Sequence, residues 1–173
     1  MKSKPSKTNH KVFIADRGNV QFWYPHDWKF TPKNSGIIKL EDPGEDCILE
    51  ISYLPLPQVD IPLPSPKQQL WMVMQKDAIA AKEEDIQVSE RNGQFTACVE
   101  YSYEDHIEHR EARRFMAIVS NRLFQSLITF CFWPEHAARL KPALQMVLDS
   151  FVLGTGFQYA SPQQALQILT AKN

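Results

Sequence analysis

The residues best suited to chemistry lie close together between Glu100 and Arg114, where the sequence reads EYSYEDHIEHREARR. This segment contains five acidic residues, three arginines and two histidines. Imidazole and carboxylate groups are common ligands of Zn²⁺ and other divalent cations in proteins. His106, His109 and Glu108 are therefore candidate metal ligands.

The spacing of the two histidines also fits a purely structural role. Residues three apart share a helix face, but they lie on opposite faces of a strand. We predict a hairpin in this segment, with its turn near His106 and Ile107, so that the imidazoles of His106 and His109 would diverge. A solvated, salt-bridged turn is therefore the preferred interpretation, with a metal site as the alternative, and we predict no cofactor.

Motifs of other catalytic chemistries do not occur in the sequence. It contains no G-x-S-x-G nucleophile elbow, no P-loop and no G-x-G-x-x-G motif. The other three histidines lie in a tail, a turn and a helix start, without the neighbours that a nucleophilic triad needs. We therefore favour a protein that is not an enzyme.

The cysteines and the N-terminal residues indicate a compartment. Cys47, Cys98 and Cys131 are odd in number, form no C-x-x-C pair and lie in apolar or alternating runs, as reduced core thiols do. Residues 1–11 contain four lysines, and the apolar run that follows is too short for a secretory signal. No apolar run is long enough to span a bilayer. We therefore expect a cytoplasmic protein.

Composition narrows the class of partner. The 173-residue chain has 19 basic and 20 acidic residues, which gives a net charge of −1. Nucleic-acid-binding domains and polybasic membrane-surface proteins carry a basic excess, so we expect neither partner. A hydrophobic content of 43% fits one folded domain. We predict a disordered basic tail over residues 1–11, a single domain over 12–153 and a C-terminal helical extension over 154–173.

The first half of the domain is predicted to contain strands, a crossover and a helix. Strands are expected over 20–24, 37–41 and 47–54, with a short extended piece at 28–31. Five prolines in residues 55–66 exclude a sheet interior and indicate a surface crossover. A helix is then predicted to begin at a capping box. Its start signal is Ser65, Pro66 and Gln68. Its apolar stripe is Leu70, Trp71, Met74, Ala78 and Ala81.

The second half of the domain is predicted to be a strand meander followed by a long helix. The meander strands are apolar on both faces, so both faces must be covered, and helices are the natural cover. The long helix follows Trp133 and presents Leu140, Leu144 and Val147 on one face. Three turns are predicted, and each fixes a cross-strand pair. The turn at Asn92-Gly93 places Val88 opposite Ala97, and the turn at His106-Ile107 places Glu100 opposite Arg113. The turn at Asn121-Arg122 places Phe115 opposite Ile128.

This element order is accompanied by short local signatures. They are Phe22-Trp23-Tyr24-Pro25-x-x-Trp28, Ile37-Ile38-Lys39-Leu40, Leu49-Glu50-Ile51-Ser52 and Leu148-Asp149-Ser150-Phe151. With them, the chain resembles the PsbP/Mog-type superfamily and its DcrB-like bacterial relatives over residues 12–153. The resemblance implies an α+β fold in which an antiparallel sheet with a meander lies between helices as an α/β/α sandwich. It also implies protein binding without shared catalytic residues, since members include an extrinsic photosystem subunit, a Ran-binding transport factor and secretion chaperones.

The function favoured by these observations is a non-enzymatic cytoplasmic protein-binding domain, such as an adaptor, an assembly factor or a chaperone-like protein. The alternative is a small-molecule or metal-binding protein, or an enzyme, that uses the cluster over 104–114 or a cleft between sheet and helix. A third candidate is a subunit that docks through residues 157–173. The candidate contacts for a protein partner are the large apolar side chains of Trp23, Trp28, Trp71 and Met74.

Overall fold

The structure, a computed structural model, describes residues 9–32, 36–57, 63–77 and 81–154. Within these ranges the chain forms ten β-strands and two α-helices. Their bounds are β1 (His10–Ala15), β2 (Val20–Pro25), β3 (Lys29–Pro32), β4 (Ile37–Glu41), β5 (Cys47–Pro55), α1 (Pro66–Lys76), β6 (Gln87–Arg91), β7 (Gln94–Asp105), β8 (Arg110–Ser120), β9 (Phe124–Phe132), α2 (Ala137–Ser150) and β10 (Val152–Leu153). Four predicted features lie partly or wholly outside the described residues: residues 1–8 of the basic tail, residues 58–62 of the surface crossover, Ala78 of the helix stripe and residues 155–173 of the helical extension.

The strands form two antiparallel sheets. The large sheet has seven strands in the order β3-β4-β5-β9-β8-β7-β6, and the small sheet has the order β1-β2-β10. One face of the large sheet packs against α2 and the small sheet, and we call it the α2 side. The opposite face packs against α1, and we call it the α1 side. This architecture confirms the predicted α+β class, with an antiparallel meander between helices.

The strand β1 is not predicted by the apolar pattern of the sequence. It begins at His10, so its first two residues fall in the predicted tail. Its inward side chain Phe13 stacks on Phe22 at a ring-centroid distance of 4.9 Å. Its outward side chains Val12 and Ile14 are apolar as well, so the strand lacks the alternation by which half-buried strands are recognised.

The helix α1 starts as its capping box predicts. The Ser65 hydroxyl accepts a hydrogen bond from the Gln68 amide at 3.3 Å, and Gln68 Oε1 accepts one from the Ser65 amide at 2.8 Å. Two of the predicted stripe residues, Leu70 and Met74, are fully buried against the sheet. The capping box therefore fixes where the chain leaves the crossover, and the stripe fixes which helix face meets the sheet.

The first predicted hairpin is confirmed. Asn92 and Gly93 both have positive φ angles, 53° and 73°, as a type I′ turn requires. Val88 lies opposite Ala97, as expected from that turn. A two-residue turn leaves only one register for the flanking strands, which is why this pairing could be predicted.

The next two predicted registers are wrong by two residues each. Glu100 lies opposite Phe115 instead of Arg113, and Phe115 lies opposite Phe130 instead of Ile128. Each loop is thus longer than a two-residue turn. Because the side-chain period of a strand is two, both shifts leave every side chain on its predicted face.

Side-chain hydrogen bonds to the backbone account for the longer loops. The Asp105 carboxylate accepts bonds from the amides of Ile107 and Glu108, each at 2.9 Å. The Asn121 side-chain oxygen accepts bonds from the amides of Leu123 and Phe124 at 2.8 and 2.7 Å. Such Asx turns stabilise loops that a count of apolar residues does not reveal.

The turn between β4 and β5 is joined to α2 by Asp42, whose side chain is fully buried. Asp42 Oδ1 accepts hydrogen bonds from the amides of Asp46 and Cys47, and Oδ2 accepts one from Arg139 Nη1 at 2.9 Å. Burial raises the pKa of the Asp42 carboxyl, but the bonds from Arg139 and the backbone amides outweigh it and lower the pKa below its ordinary value. In the folded protein near neutral pH, the Asp42 carboxylate is therefore negatively charged and hydrogen-bonded.

We expect Asp42→Asn to lower the free energy of unfolding at pH 7 by about 2 kcal/mol, because hydrogen bonds to a charged acceptor are lost. The pKa of Asp42 is lower in the folded than in the unfolded state, so its stabilisation is complete above about pH 5. It is lost as the pH falls through the ordinary carboxyl range toward the folded pKa. Urea unfolding at pH 7 and pH 3 measures this: the gap between wild type and variant should shrink at pH 3. Asp27→Asn, at an exposed turn, is the control, and equal midpoints of wild type and Asp42→Asn at pH 7 would contradict the expectation.

Met74 and Met72 in α1 provide a matched test of core placement, because Met74 is 0% exposed and Met72 is 61% exposed. Met74→Ala should lower the free energy of unfolding by about 2–5 kcal/mol through lost burial and a cavity. Met72→Ala should change it by less than about 0.5 kcal/mol. Urea denaturation of both variants measures the difference, and similar losses would show that α1 is rotated from the described orientation.

Candidate functional site

The four predicted partner contacts have different surroundings. Trp23 is 47% exposed on the outer face of the small sheet, and Trp71 is half-buried on α1. Trp28 and Met74 are buried in the two cores, so their side chains are not available to a partner. The physical reason is size: Trp28 stacks on Phe130 at 6.4 Å and fills the core of the α2 side. Of the four, only Trp23 lies in an exposed apolar surface.

The predicted metal ligands lie in the turn between β7 and β8. His106, Glu108 and His109 are all exposed there. Among the described residues, no three His, Cys, Asp or Glu side chains are arranged to hold a metal ion. The turn is organised instead by Asp105, whose pKa is lowered by the backbone amides of Glu108 and Ile107.

A cleft of about 300 Å³ opens on the α1 side of the large sheet, and no residue of α1 lines it. Three lining residues, Ile48, Cys131 and Arg114, lie opposite one another on β5, β9 and β8. Thr129 continues the same face of β9, and Trp133 follows that strand at one wall. The cleft therefore combines an apolar surface with one cationic side chain.

Arg114 is a half-buried side chain with weak acceptors around it. Its Nε donates to Cys131 Sγ at 3.2 Å, and its Nη1 donates to the Tyr101 hydroxyl at 3.5 Å. The guanidinium carbon lies 4.6 Å from the centre of the Tyr103 ring. Burial lowers the pKa of Arg114, but the thiol and phenol acceptors raise it above its ordinary value, so the group is cationic at every relevant pH.

The neighbouring arginines differ from Arg114 in having carboxylate partners. Arg113 pairs with Glu100 at 3.1 Å, and Arg110 pairs with Glu135 at 2.8 Å while its guanidinium lies 3.5 Å from the centre of the Trp133 ring. Within the described part of the chain, Arg114 has no carboxylate in ion-pair distance. Arg114 is thus the one arginine of the cluster over 104–114 without an acidic partner among the described residues, and the histidine spacing did not single it out.

Acidic side chains border the cleft. Asp46 is bound by Arg139 Nη2 at 2.5 Å and lies 3.4 Å from His136 Nε2. Asp105 lies on another side of the cleft, and its carboxylate accepts hydrogen bonds from backbone amides of its own turn. Glu45 and Glu50 complete this acidic rim. A multiply charged anion would be repelled by the rim, whereas a single negative charge beside Arg114 would be compensated.

A second surface lies on the outer face of the small sheet. Val12, Ile14 and Trp23 are exposed there at 50%, 62% and 47%, and the His10 ring stacks on Trp23 at 4.5 Å. We call these four side chains the β1 strip. Lys11 projects to the other face of β1, with its ammonium 6.0 Å from the centre of the Tyr24 ring. The strip is therefore apolar apart from one imidazole.

The hydrogen-bond pattern of β2 shows which groups of β1 face its open edge. The Trp23 amide donates to Ser150 Oγ at 2.8 Å, on the side of β2 away from β1. Val12 and Trp23 are thus a pair without hydrogen bonds between them, and the same holds for every second residue along β1. The N–H and C=O groups of His10, Val12 and Ile14 therefore point away from β2, toward the open edge.

The two edges of the large sheet carry more of the features that discourage pairing than β1 does. β3 has four residues and ends in Pro32. β6 is exposed throughout and presents Glu90 and Arg91. Short length, proline and charge are the usual protections of edge strands. β1 has six residues and no proline, and it carries one such feature, the exposed Lys11.

Sequence reasoning missed Val12, Ile14 and Arg114. The first two belong to a strand that is apolar on both faces and could be recognised only from its length between His10 and Asp16. The sequence alone does not distinguish Arg114 from Arg110 and Arg113. The strand register decides which of these arginines reaches an acidic side chain.

Comparisons with known proteins agree on one family and one fold. A family model described as Alr1449 matches residues 11–157. The uncharacterized protein alr1449 of Nostoc sp. (strain PCC 7120) is 32% identical over 150 residues, which cover 84% of this chain and 78% of that protein.

Two solved structures share the architecture. The solution structure of cyanobacterial PsbP (CyanoP) from Synechocystis sp. PCC 6803 matches with a TM-score of 0.63 at 13% identity, over 89% of this chain and 98% of that one. A crystal structure from Bacteroides thetaiotaomicron matches with a TM-score of 0.61 at 13% identity, over 94% of this chain and 58% of that one. No helix in the described ranges has the length and apolar character needed to cross a membrane. The chain has the fold of cyanobacterial PsbP, as the resemblance implies, and it belongs to the Alr1449 family.

Proposed function

We propose that the protein is a non-enzymatic binding domain that holds an extended segment of another protein along β1. The observation that carries this proposal is the edge of β1, where backbone groups that have no strand partner among the described residues adjoin an exposed apolar strip. An added strand gains affinity from main-chain hydrogen bonds and specificity from alternate side chains. His10, Val12 and Ile14 offer both main-chain hydrogen-bonding groups and side chains on one face.

The chemistry of the strip defines the partner segment. Every second side chain of an added strand would lie on the outer face beside Val12 and Ile14, so those side chains should be apolar or β-branched. The intervening side chains would face the inner side, near Lys11 and the rim of the core. The partner is therefore a protein segment with alternating apolar residues and no proline at the paired positions.

A cytoplasmic location is part of the same proposal. The thiols of Cys47, Cys98 and Cys131 are all free in the structure, which supports a reducing compartment. The net charge of −1 supports a protein partner over a nucleic acid.

We expect Ile14→Lys to weaken partner binding at least about tenfold, because a charge would be placed against apolar side chains of the added strand. The matched control is Val88→Lys, which places the same charge at a 59% exposed valine of the edge strand β6. Affinity capture with wild type and both variants identifies any protein that wild type and Val88→Lys retain and Ile14→Lys loses. Both variants should keep the wild-type thermal midpoint, because the replaced side chains are exposed.

Hydrogen exchange then locates the captured protein on the structure. With the purified partner, the amides of Val12 and Ile14 should become protected, whereas those of Phe13 and Ala15 should be protected with or without it, since they bond to β2. A partner that binds Ile14→Lys as tightly as wild type would overturn the proposal. So would protection that appears only outside β1.

A further inference from the structure

The cleft on the α1 side has the features of a small-ligand site. It is separated from the β1 strip by the whole thickness of the large sheet, since the small sheet packs on the opposite face. Its volume of about 300 Å³ lies at the lower end of the range for small-molecule pockets. Ile48, Ala112 and Trp133 provide apolar contact for the body of a ligand.

The cationic group in this cleft lacks the partner that a guanidinium prefers. Arg114 donates to a thiol and a phenol, which are weak acceptors compared with a carboxylate. A guanidinium presents five N–H donors in a planar fork that matches a carboxylate. Arg114 therefore has donors that could form stronger hydrogen bonds with an added acceptor. A carboxylate that enters the cleft would supply it.

We propose that this cleft binds a small organic acid with a single carboxylate, which pairs with Arg114 while its hydrocarbon body contacts the apolar wall. The acidic rim of Glu45, Asp46, Glu50 and Asp105 disfavours doubly charged anions such as phosphate. The site is therefore selective for monocarboxylates over phosphate and over neutral molecules of the same shape.

Cys131 is a natural reporter of this site. Its sulfur lies 3.2 Å from Arg114 Nε and lines the cleft, so a carboxylate bound to Arg114 covers it. Cys98 is also half-buried but packs on the α2 side, away from the cleft, and serves as an internal control in the same molecule. Cys47 is buried, and burial raises the pKa of its thiol, so it should react slowly with either reagent.

The first measurement compares alkylation by iodoacetate and by iodoacetamide at Cys131 and Cys98. In both reactions the sulfur loses its proton to the buffer and attacks the CH₂ carbon; an S–C bond forms as the C–I bond breaks and iodide leaves. The ratio of the iodoacetate rate to the iodoacetamide rate cancels the intrinsic reactivity of each thiol. We expect this ratio, measured by peptide mass spectrometry, to be about tenfold higher at Cys131, because iodoacetate is itself a monocarboxylate that Arg114 can hold.

The second measurement is protection of Cys131 from iodoacetamide by phenylacetate. Protection should saturate with phenylacetate, and phenylacetamide and phosphate at the same concentrations should give none. Arg114→Gln should abolish both the iodoacetate preference and the protection, whereas Arg113→Gln, which removes the adjacent arginine, should leave both unchanged.

Three results would overturn the proposal. They are equal rate ratios at Cys131 and Cys98, protection by phenylacetamide or phosphate as strong as that by phenylacetate, and retention of the preference in folded Arg114→Gln. If Arg114→Gln fails to fold, the comparison of phenylacetate with phenylacetamide on wild type decides the question. Ile14→Lys should leave protection of Cys131 unchanged, so failure at this cleft and failure of the proposed β1 interface are distinguished.

Discussion

A sheet that is apolar on both faces has to be covered on both faces, and the layout of this protein follows from that constraint. Every residue of β8 from Phe115 to Ser120 is buried, with alternate side chains in the cores of the two sides. On the α2 side, one helix and the small sheet together cover strands from β4 to β8. On the α1 side, an eleven-residue helix contacts β7 and β8, and the cleft opens over β5, β9 and the end of β8. Among the described residues this face is covered only in part, and the cleft lies beyond the part that α1 covers.

The contact between Asp42 and Arg139 connects the two sides. Arg139 belongs to α2, yet its guanidinium also binds Asp46, which borders the cleft on the opposite side of the sheet. The amide of Trp133, at a wall of the cleft, donates to the Asp46 carbonyl at 3.4 Å. One buried carboxylate thus holds the β4–β5 turn, the start of α2 and a wall of the cleft in a common arrangement.

Local signals in the sequence predict those parts of the fold that a few neighbouring residues decide. The Asn92-Gly93 turn and the Ser65 capping box are of this kind, because each is complete within four residues. The loops at 106–109 and 121–124 depend on which amides an Asp or Asn side chain binds, so their length does not follow from apolar pattern. The site is less predictable still. Whether an arginine finds an acid depends on register across three strands, and whether Trp28 or Trp23 faces solvent depends on what packs above each.

The two loops of unexpected length also show which shifts in strand register this sheet can accommodate. Each differs from a minimal hairpin turn by an even number of residues, and the core is the same as it would be with the shorter loop. A slip of two residues in the pairing moves the strands along one another without exchanging interior for exterior, whereas a slip of one residue inverts the faces of β8 or β9. The core therefore tolerates pairing shifts in steps of two at these turns, and a shift of one residue requires a bulge to absorb it.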